Sequence, residues 1–66
     1  MPVIGARCHE LRIDDGDVTF RIVYHVDSEA IVILEVFQKR NRTTPKRVID
    51  VARNRLRAYL RIVRED

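Results

Sequence analysis

Phe37-Gln38-Lys39-Arg40-Asn41-Arg42-Thr43-Thr44-Pro45-Lys46 is the stretch in which the sequence changes from a strand pattern to a helix pattern. An apolar, β-prone run ends at Phe37, and a patterned helix opens near Pro45. Four positive charges fall within the eight residues from Lys39 to Lys46, with Thr and Asn but without a carboxylate. The stretch predicts an α+β domain whose strand-to-helix junction presents basic groups to a polyanion.

Downstream of this junction the apolar residues recur with helical spacing. Thr44 is a good N-cap and Pro45 suits the first helical position, so a helix is predicted over about residues 45–63. Its apolar stripe is long enough to cover one face of a sheet. The stripe comprises Val48, Ile49, Ala52, Leu56, Tyr59, Leu60 and Val63.

The opposite side of the predicted helix is basic. Arg53, Arg57 and Arg61 follow one another at a spacing of four, which places them on one face. This pattern is typical of a solvated helix face, and it also suits contact with nucleic-acid phosphates.

Upstream of the junction, two alternating runs predict a β-hairpin with strands at about residues 7–13 and 18–26. The run Asp14-Asp15-Gly16-Asp17 between them is a strong turn signal. If Asp15-Gly16 forms a two-residue loop, Ile13 faces Val18, Leu11 faces Phe20 and Glu10 faces Arg21. This register places the apolar pairs on one face and the charged pair on the other.

A second tight turn, Asp27-Ser28-Glu29, leads into a strand at about residues 30–37. This strand is apolar on both faces except for Glu35. A three-residue loop sets Val32 against Tyr24 and Glu35 against Arg21. Arg21 is therefore predicted to lie between Glu10 and Glu35, and Tyr24 is expected in the core.

These elements predict one α+β domain over residues 1–66. It contains a three-stranded antiparallel sheet of two hairpins, followed by one long C-terminal helix packed on one face. Because a single helix covers only one face, the other face must be exposed, held by a partner or covered by a segment from outside this sequence. A homodimer through the uncovered face is one such arrangement.

The composition favours anionic partners and a reducing compartment. Eleven of the 13 Lys and Arg residues are Arg, and the formal net charge is +3. Arginine suits bidentate contact with phosphate. The single cysteine, Cys8, excludes an internal disulfide. No signal peptide pattern or apolar stretch approaching about 20 residues is present, so we expect a cytoplasmic protein without a membrane partner.

Few types of catalytic site fit these residues. His9 and His25 are predicted on opposite sheet faces and Cys8 points away from His9, so neither a metal site nor a cofactor is expected. Catalytic triads and glycine-rich phosphate loops are also missing from the sequence. What remains is a basic set comprising Arg12, Arg21, Lys39, Arg40, Arg42 and Lys46. Such groups can stabilise charge while a ribose 2′-hydroxyl attacks phosphorus. Arg21 is equally well interpreted as a structural ion-pair centre.

Four segments in order resemble RelE/HigB-like toxins, and most closely their phage-derived HigB-like branch. They are Gly5-Ala6-Arg7-Cys8-His9-Glu10-Leu11-Arg12, Phe20-Arg21-Ile22-Val23-Tyr24, Val36-Phe37-Gln38-Lys39-Arg40, and Thr44-Pro45 with Ala52 and Arg55. The resemblance implies a toxin of a type II toxin–antitoxin module. Such a toxin is usually a ribosome-dependent mRNA endonuclease that needs no metal and is neutralised by an antitoxin protein.

The resemblance also implies site residues. Arg12, Arg21 and Arg40 are similar to the charge-stabilising groups of RelE-type sites, with Lys39 beside them. The basic junction and the basic helix face, rather than the resemblance, predict RNA contacts from Arg42, Lys46, Arg53, Arg57 and Arg61. RelE-type enzymes place a tyrosine early in the last helix, where this sequence has Lys46 or a neighbour, so the proton-transfer residue is left open.

Family members normally begin with about 40 residues of strand and paired helices, so the resemblance implies an N-terminally shortened chain. Two alternatives to the endonuclease stay open. The first is a non-catalytic basic module that binds nucleic acid or the ribosome. The second is a gyrase-targeting toxin of the ParE type.

Overall fold

The computed structural model describes residues 3–38 and 43–65, with side chains through Arg64. Three strands form one antiparallel sheet in the order β1-β2-β3, and a helix follows. Strand β1 spans Cys8–Asp15, β2 spans Val18–Val26, β3 spans Ile31–Gln38, and helix α1 spans Lys46–Glu65. The predicted fold class is confirmed: the structure is α+β, with two hairpins and one C-terminal helix.

The β1–β2 turn consists of Gly16 and Asp17, one residue later than predicted. Gly16 has a φ of +61°, and glycine reaches this left-handed region without steric cost. Placing Gly16 at the first central position corresponds to a type II′ turn, which needs only one positive φ. The observed register therefore sets Ile13 opposite Phe20 and Arg12 opposite Arg21. The predicted pairs were wrong by two positions, but an even shift leaves every side chain on its predicted face.

The β2–β3 connection is longer than predicted, and β3 contains an irregularity. Val26 pairs with Ile31, so four residues form the loop, and the Asp27 amide donates to the Ala30 carbonyl at 2.8 Å. A β-bulge follows, since Val23 pairs with Glu35 while Tyr24 pairs with Ile33. The predicted pairs of Val32 with Tyr24 and of Glu35 with Arg21 were wrong, because both the loop length and the bulge change the register.

The extra residue of the bulge is Leu34, and it determines which β3 side chains face the helix. Val32 faces α1 before the bulge, Leu34 within it and Phe37 after it. A regular strand would send Leu34 and Phe37 to opposite faces. The bulge therefore brings both Leu34 and Phe37 under α1.

Helix α1 begins one residue later than predicted. The Pro45 carbonyl accepts hydrogen bonds from the amides of Val48 at 3.0 Å and Ile49 at 3.2 Å. Pro45 is thus the N-cap rather than the first helical residue. The predicted N-cap, Thr44, instead donates its hydroxyl to a sheet carboxylate, as described below.

The core lies between α1 and the sheet face that carries Cys8, Val23 and His25. Val48, Ala52 and Leu56 supply the helix side of this core, as predicted. Among the side chains that the structure describes, the buried ones are Ile4, Cys8, Val23, His25, Leu34, Phe37, Val48, Ala52 and Leu56.

Two core assignments were wrong. Tyr24 lies on the other sheet face, half-buried beside His9, with ring centroids 5.6 Å apart. Val63 is exposed because α1, about 30 Å long from its 20 residues, packs mainly against β3 and ends in solvent.

The segment before β1 passes close beneath α1. Ile4 is buried, and a Cβ on Gly5 would lie 2.6 Å from Cδ2 of Leu56. Gly5 is needed here for close approach rather than for a special φ. Arg7 adopts a φ of +59°, and its carbonyl accepts a hydrogen bond from the Val26 amide at 2.9 Å. This bond holds the segment against the end of β2.

The sheet face opposite α1 is not covered by any described residue. It carries exposed side chains from β1 (Leu11, Ile13), β2 (Phe20) and β3 (Ile31, Ile33, Val36), and we call it the open face. Among the residues that the structure describes, no helix combines the length and apolar character needed to cross a bilayer.

Candidate nucleic-acid site

The candidate site is built around two arginines on adjacent strands. Arg12 of β1 and Arg21 of β2 are directly opposite one another in the register, so their side chains leave the same face of the sheet. Direct partners in an antiparallel pair have Cα atoms about 4.5–5.5 Å apart. This is the face that α1 covers farther along β2. The two side chains therefore leave adjacent points of this face, and hydrogen bonds direct Arg12 toward Asp14 and Arg21 toward Glu10.

Arg21 is held by the predicted ion pair with Glu10. Glu10 was expected directly opposite Arg21, but it lies two residues along β1 from Arg12, the residue that occupies that position. Arg21 Nη1 donates to Glu10 Oε1. Thr44 Oγ1 donates to the other carboxylate oxygen, Oε2, at 3.3 Å. Both ion-pair side chains are mostly buried, with 21% of Arg21 and 13% of Glu10 exposed. Glu10 thus connects the sheet to the residues just before α1.

The second predicted partner of Arg21 does not contact it. Glu35 instead accepts a bond from Arg55 Nη1 at 3.3 Å. The buried Nε atom of Arg21 has no hydrogen-bond partner among the described residues. A buried donor without an acceptor costs about 1–3 kcal/mol, so this face of Arg21 favours a further acceptor.

Arg12 has a more exposed environment. Its Nε donates to Asp14 Oδ1 at 3.0 Å, and Thr19 Oγ1 donates to the same oxygen at 2.9 Å. The bond from Arg12, and then the bond from Thr19, lower the pKa of Asp14 below its ordinary value. An exposed ion pair of this type contributes little to stability, because water screens both charges. A phosphate could therefore replace Asp14 as the partner of Arg12 at small cost.

Three predicted site residues, Lys39, Arg40 and Arg42, lie outside the described residues. The residues that flank them are described. Gln38 pairs with Phe20, which adjoins Arg21 in β2, and Thr44 contacts Glu10. Both flanks of the basic stretch therefore lie next to the Arg21–Glu10 pair.

The predicted cations of α1 are exposed. Lys46, Arg53, Arg57 and Arg61 all have solvent-accessible side chains, and none of them forms an ion pair with a described residue. Arg55 is different, because its Nη1 donates to the Leu34 carbonyl at 2.7 Å as well as to Glu35. Arg55 lies about one helical turn from Ala52 and from Tyr59, both in the predicted apolar stripe. This spacing could have indicated that Arg55 also points toward the sheet.

Cys8 and His25 form a buried contact that the sequence did not predict. Cys8 Sγ lies 3.6 Å from His25 Nδ1, which is 3.1 Å from the Ala6 carbonyl oxygen. Burial raises the pKa of the Cys8 thiol, which disfavours a reactive thiolate. Within residues 3–38 and 43–64, no three His, Cys, Asp or Glu side chains are grouped as metal ligands would be. We interpret this contact as part of the core.

Like Arg55, Tyr59 of α1 makes a polar contact that the sequence did not predict. Its hydroxyl donates to Asp27 Oδ2 at 2.5 Å, and its ring lies edge-on to His25 with centroids 6.1 Å apart. The hydrogen bond lowers the pKa of Asp27 and raises that of Tyr59. This tyrosine lies in the second half of α1 and contacts the β2–β3 loop rather than the arginine pair.

A family model described as "Phage derived protein Gp49-like" matches residues 2–57. Neither a curated protein nor a solved structure gives a significant match.

Proposed function

Because the chain belongs to the phage-derived Gp49-like family, which is RelE/HigB-like, we propose that it is the toxin of a type II toxin–antitoxin module. In this proposal it cleaves mRNA on the ribosome without a metal, and a cognate antitoxin protein neutralises it. The site consists of Arg12, Arg21, Lys39 and Arg40.

The observation that carries the proposal is the pairing of Arg12 with Arg21 across β1 and β2. Two guanidinium groups on one sheet face can bind two oxygens of a single phosphate. The flanks of the Lys39–Arg42 stretch lie beside them, which supports a contribution from Lys39 and Arg40 to the same phosphate. Described carboxylates neutralise Arg12 and Arg21, so these junction cations supply the net positive charge.

In the proposed reaction the substrate supplies its own nucleophile. The ribose 2′-oxygen attacks phosphorus, the bond to the 5′-oxygen breaks, and the 2′-hydroxyl proton is ultimately delivered to the leaving oxygen. The basic residues stabilise the additional negative charge on the phosphate in the transition state. Arg12 is the more readily available of the two described arginines, because its bond to Asp14 is solvent-exposed.

Induction of the chain in bacteria, with mapping of mRNA 5′ ends, tests this proposal. We expect growth arrest with new codon-positioned cuts, and a loss of cleavage of about 100-fold or more in Arg12→Ala and Arg40→Ala. Arg64→Ala removes an exposed arginine near the end of α1 and serves as the control with unchanged cleavage. Intact mRNA in arrested cells would overturn the assignment, and inhibition of DNA supercoiling would then indicate a ParE-like target.

A second candidate function rests on the exposed cations of α1. Arg53, Arg57 and Arg61 lie one turn apart and have no described carboxylate partner. A non-catalytic module would bind RNA or the ribosome through this surface. It would show steeply salt-dependent binding and no cleavage.

A further inference from the structure

The open face is the largest apolar surface that the described residues leave uncovered. Ile31 is 67% exposed and Ile33 55% exposed, and Leu11, Ile13, Phe20 and Val36 join them on the same face. Strands of eight or nine residues are about 26–30 Å long, and three strands are about 14 Å wide. Monomeric proteins rarely expose an apolar surface of several hundred Å² without a partner.

The charges of the protein identify the occupant that this face suits. Both strand arginines, Arg12 and Arg21, project from the opposite face, and the remaining described cations lie on α1 or before β1. On the open face the only described carboxylate is Asp15, at its turn end. A nucleic acid or an acidic peptide would find no cation there. Two copies with a net charge of +3 each could meet through this face without bringing like charges together.

The size of the face is compatible with self-association. Two such faces, stacked at the spacing of about 10 Å that packed sheets adopt, would bury on the order of 1,000 Å² in total. This is close to the lower limit for a specific interface. We propose that the open face is the interface of a homodimer in which the sheets of two copies pack face to face, with each α1 on the outside.

This dimer would place both candidate nucleic-acid sites away from the interface. The Arg12–Arg21 pair and α1 lie on the other side of each sheet, so dimerisation leaves them accessible. The proposal is therefore independent of the proposed enzymatic activity, and either can fail without the other.

Sedimentation equilibrium of the purified chain over a concentration series tests the proposal. We expect a monomer–dimer equilibrium with a dissociation constant in the micromolar range, typical of a small interface. In Ile33→Lys a charge would be buried between the two sheets, and the dissociation constant should rise by about 100-fold or more. Ile62→Lys is the matched control: it replaces an isoleucine on α1 that is also largely exposed, at 64% against 55% for Ile33, and should leave the dissociation constant within about twofold.

Far-UV circular dichroism must show that both variants retain the folded spectrum. If Ile33→Lys does not fold, Ile33→Thr, which keeps a β-branched side chain, replaces it and should weaken the dimer in the same direction. A monomeric parent chain at about 1 mM, well above a micromolar constant, would overturn the proposal. An unchanged dimer in the folded Ile33 variant, or equal weakening by Ile62→Lys, would also overturn it.

Discussion

At the residue scale, two side chains of α1, Arg55 and Tyr59, form hydrogen bonds to β3 and to the β2–β3 loop, respectively. Arg55 donates to the Leu34 carbonyl at 2.7 Å, which belongs to the bulge residue without a partner in the β2–β3 register. Tyr59 donates to Asp27 in the β2–β3 loop. Each bond satisfies a group that the ladder or the turn leaves available, so polar contacts as well as apolar packing determine where the helix lies.

The Tyr59–Asp27 bond predicts a pH-dependent contribution to stability. Asp27 has a lowered pKa in the folded chain, so its stabilisation is present above its ordinary value of 3.8 and is lost as pH falls through the lowered value. The pKa of Tyr59 is raised, so its share is present below its ordinary value of 10.0 and is lost at higher pH. Tyr59→Phe should therefore destabilise the chain most between pH 3.8 and pH 10.0.

Urea unfolding of the parent chain and Tyr59→Phe at several pH values provides the measurement. The difference in free energy of unfolding should shrink below pH 3.8 and above pH 10.0. Tyr24→Phe removes a hydroxyl from the open face and should show no such profile. A Tyr59→Phe difference that stays constant from acid to alkaline pH would contradict the prediction.

At the element scale, α1 is positioned by small residues as much as by large ones. Ala52 is completely buried against the sheet, whereas Ala58 is exposed. Gly5, in the segment before β1, lies close to the side chain of Leu56 in α1. A close approach of this type leaves no space for an added side chain.

Replacement of Ala52 by Leu tests this packing. Three extra carbon atoms beneath α1 should lower the free energy of unfolding by about 1–3 kcal/mol through overpacking. Ala58→Leu makes the same change on the solvent side and should stay within about 0.5 kcal/mol, because Leu and Ala differ little in helix propensity. Chemical denaturation measures both variants. Equal effects at the two positions would show that the helix does not pack as described.

At the scale of the whole molecule, charge and apolar surface are separated. The arginines of the sheet lie on the α1 side and the uncovered apolar residues lie on the other. The protein therefore has one surface suited to a polyanion and one suited to an apolar partner. The exposed face of α1 extends the basic surface along the length of the molecule.

This separation predicts how RNA binding depends on salt. Each phosphate contact to single-stranded RNA contributes about −0.7 to the slope of log K against log salt. Arg57→Gln should reduce the slope by about that amount, and replacement of Arg53, Arg57 and Arg61 together by about 2. Arg55→Gln also removes one positive charge, but Arg55 already hydrogen-bonds to Leu34 and Glu35. The slope of this variant should therefore match that of the parent chain.

Fluorescence anisotropy with a labelled RNA oligonucleotide across a salt series measures these slopes. Equal slopes for Arg57→Gln and the parent chain would show that α1 is not part of the RNA-binding surface. A reduced slope in Arg55→Gln would show that total charge, rather than the exposed helix face, governs binding.

Local sequence signals determined the elements of this protein. Alternating residues predicted three strands, helical spacing predicted α1, and Asp-Gly predicted a hairpin, because each depends on neighbours within a few residues. The Glu10–Arg21 pair was also predictable, since a two-position register shift preserves the face of each side chain. Arg12 and Arg21 could be named as candidates, but their direct opposition could not, because it depends on which residue of the turn takes the positive φ.

Tertiary structure alone decided which sheet face α1 covers. The regular alternation of Phe20, Ile22 and Tyr24 made their face look like the core, yet α1 packs on Val23 and His25. The bulge at Leu34 contributes to this outcome by bringing Leu34 and Phe37 to one face, and Arg55 and Tyr59 find their polar partners only on that side. Periodicity reports how side chains alternate along a strand, whereas the choice between two apolar faces depends on contacts between residues distant in the chain.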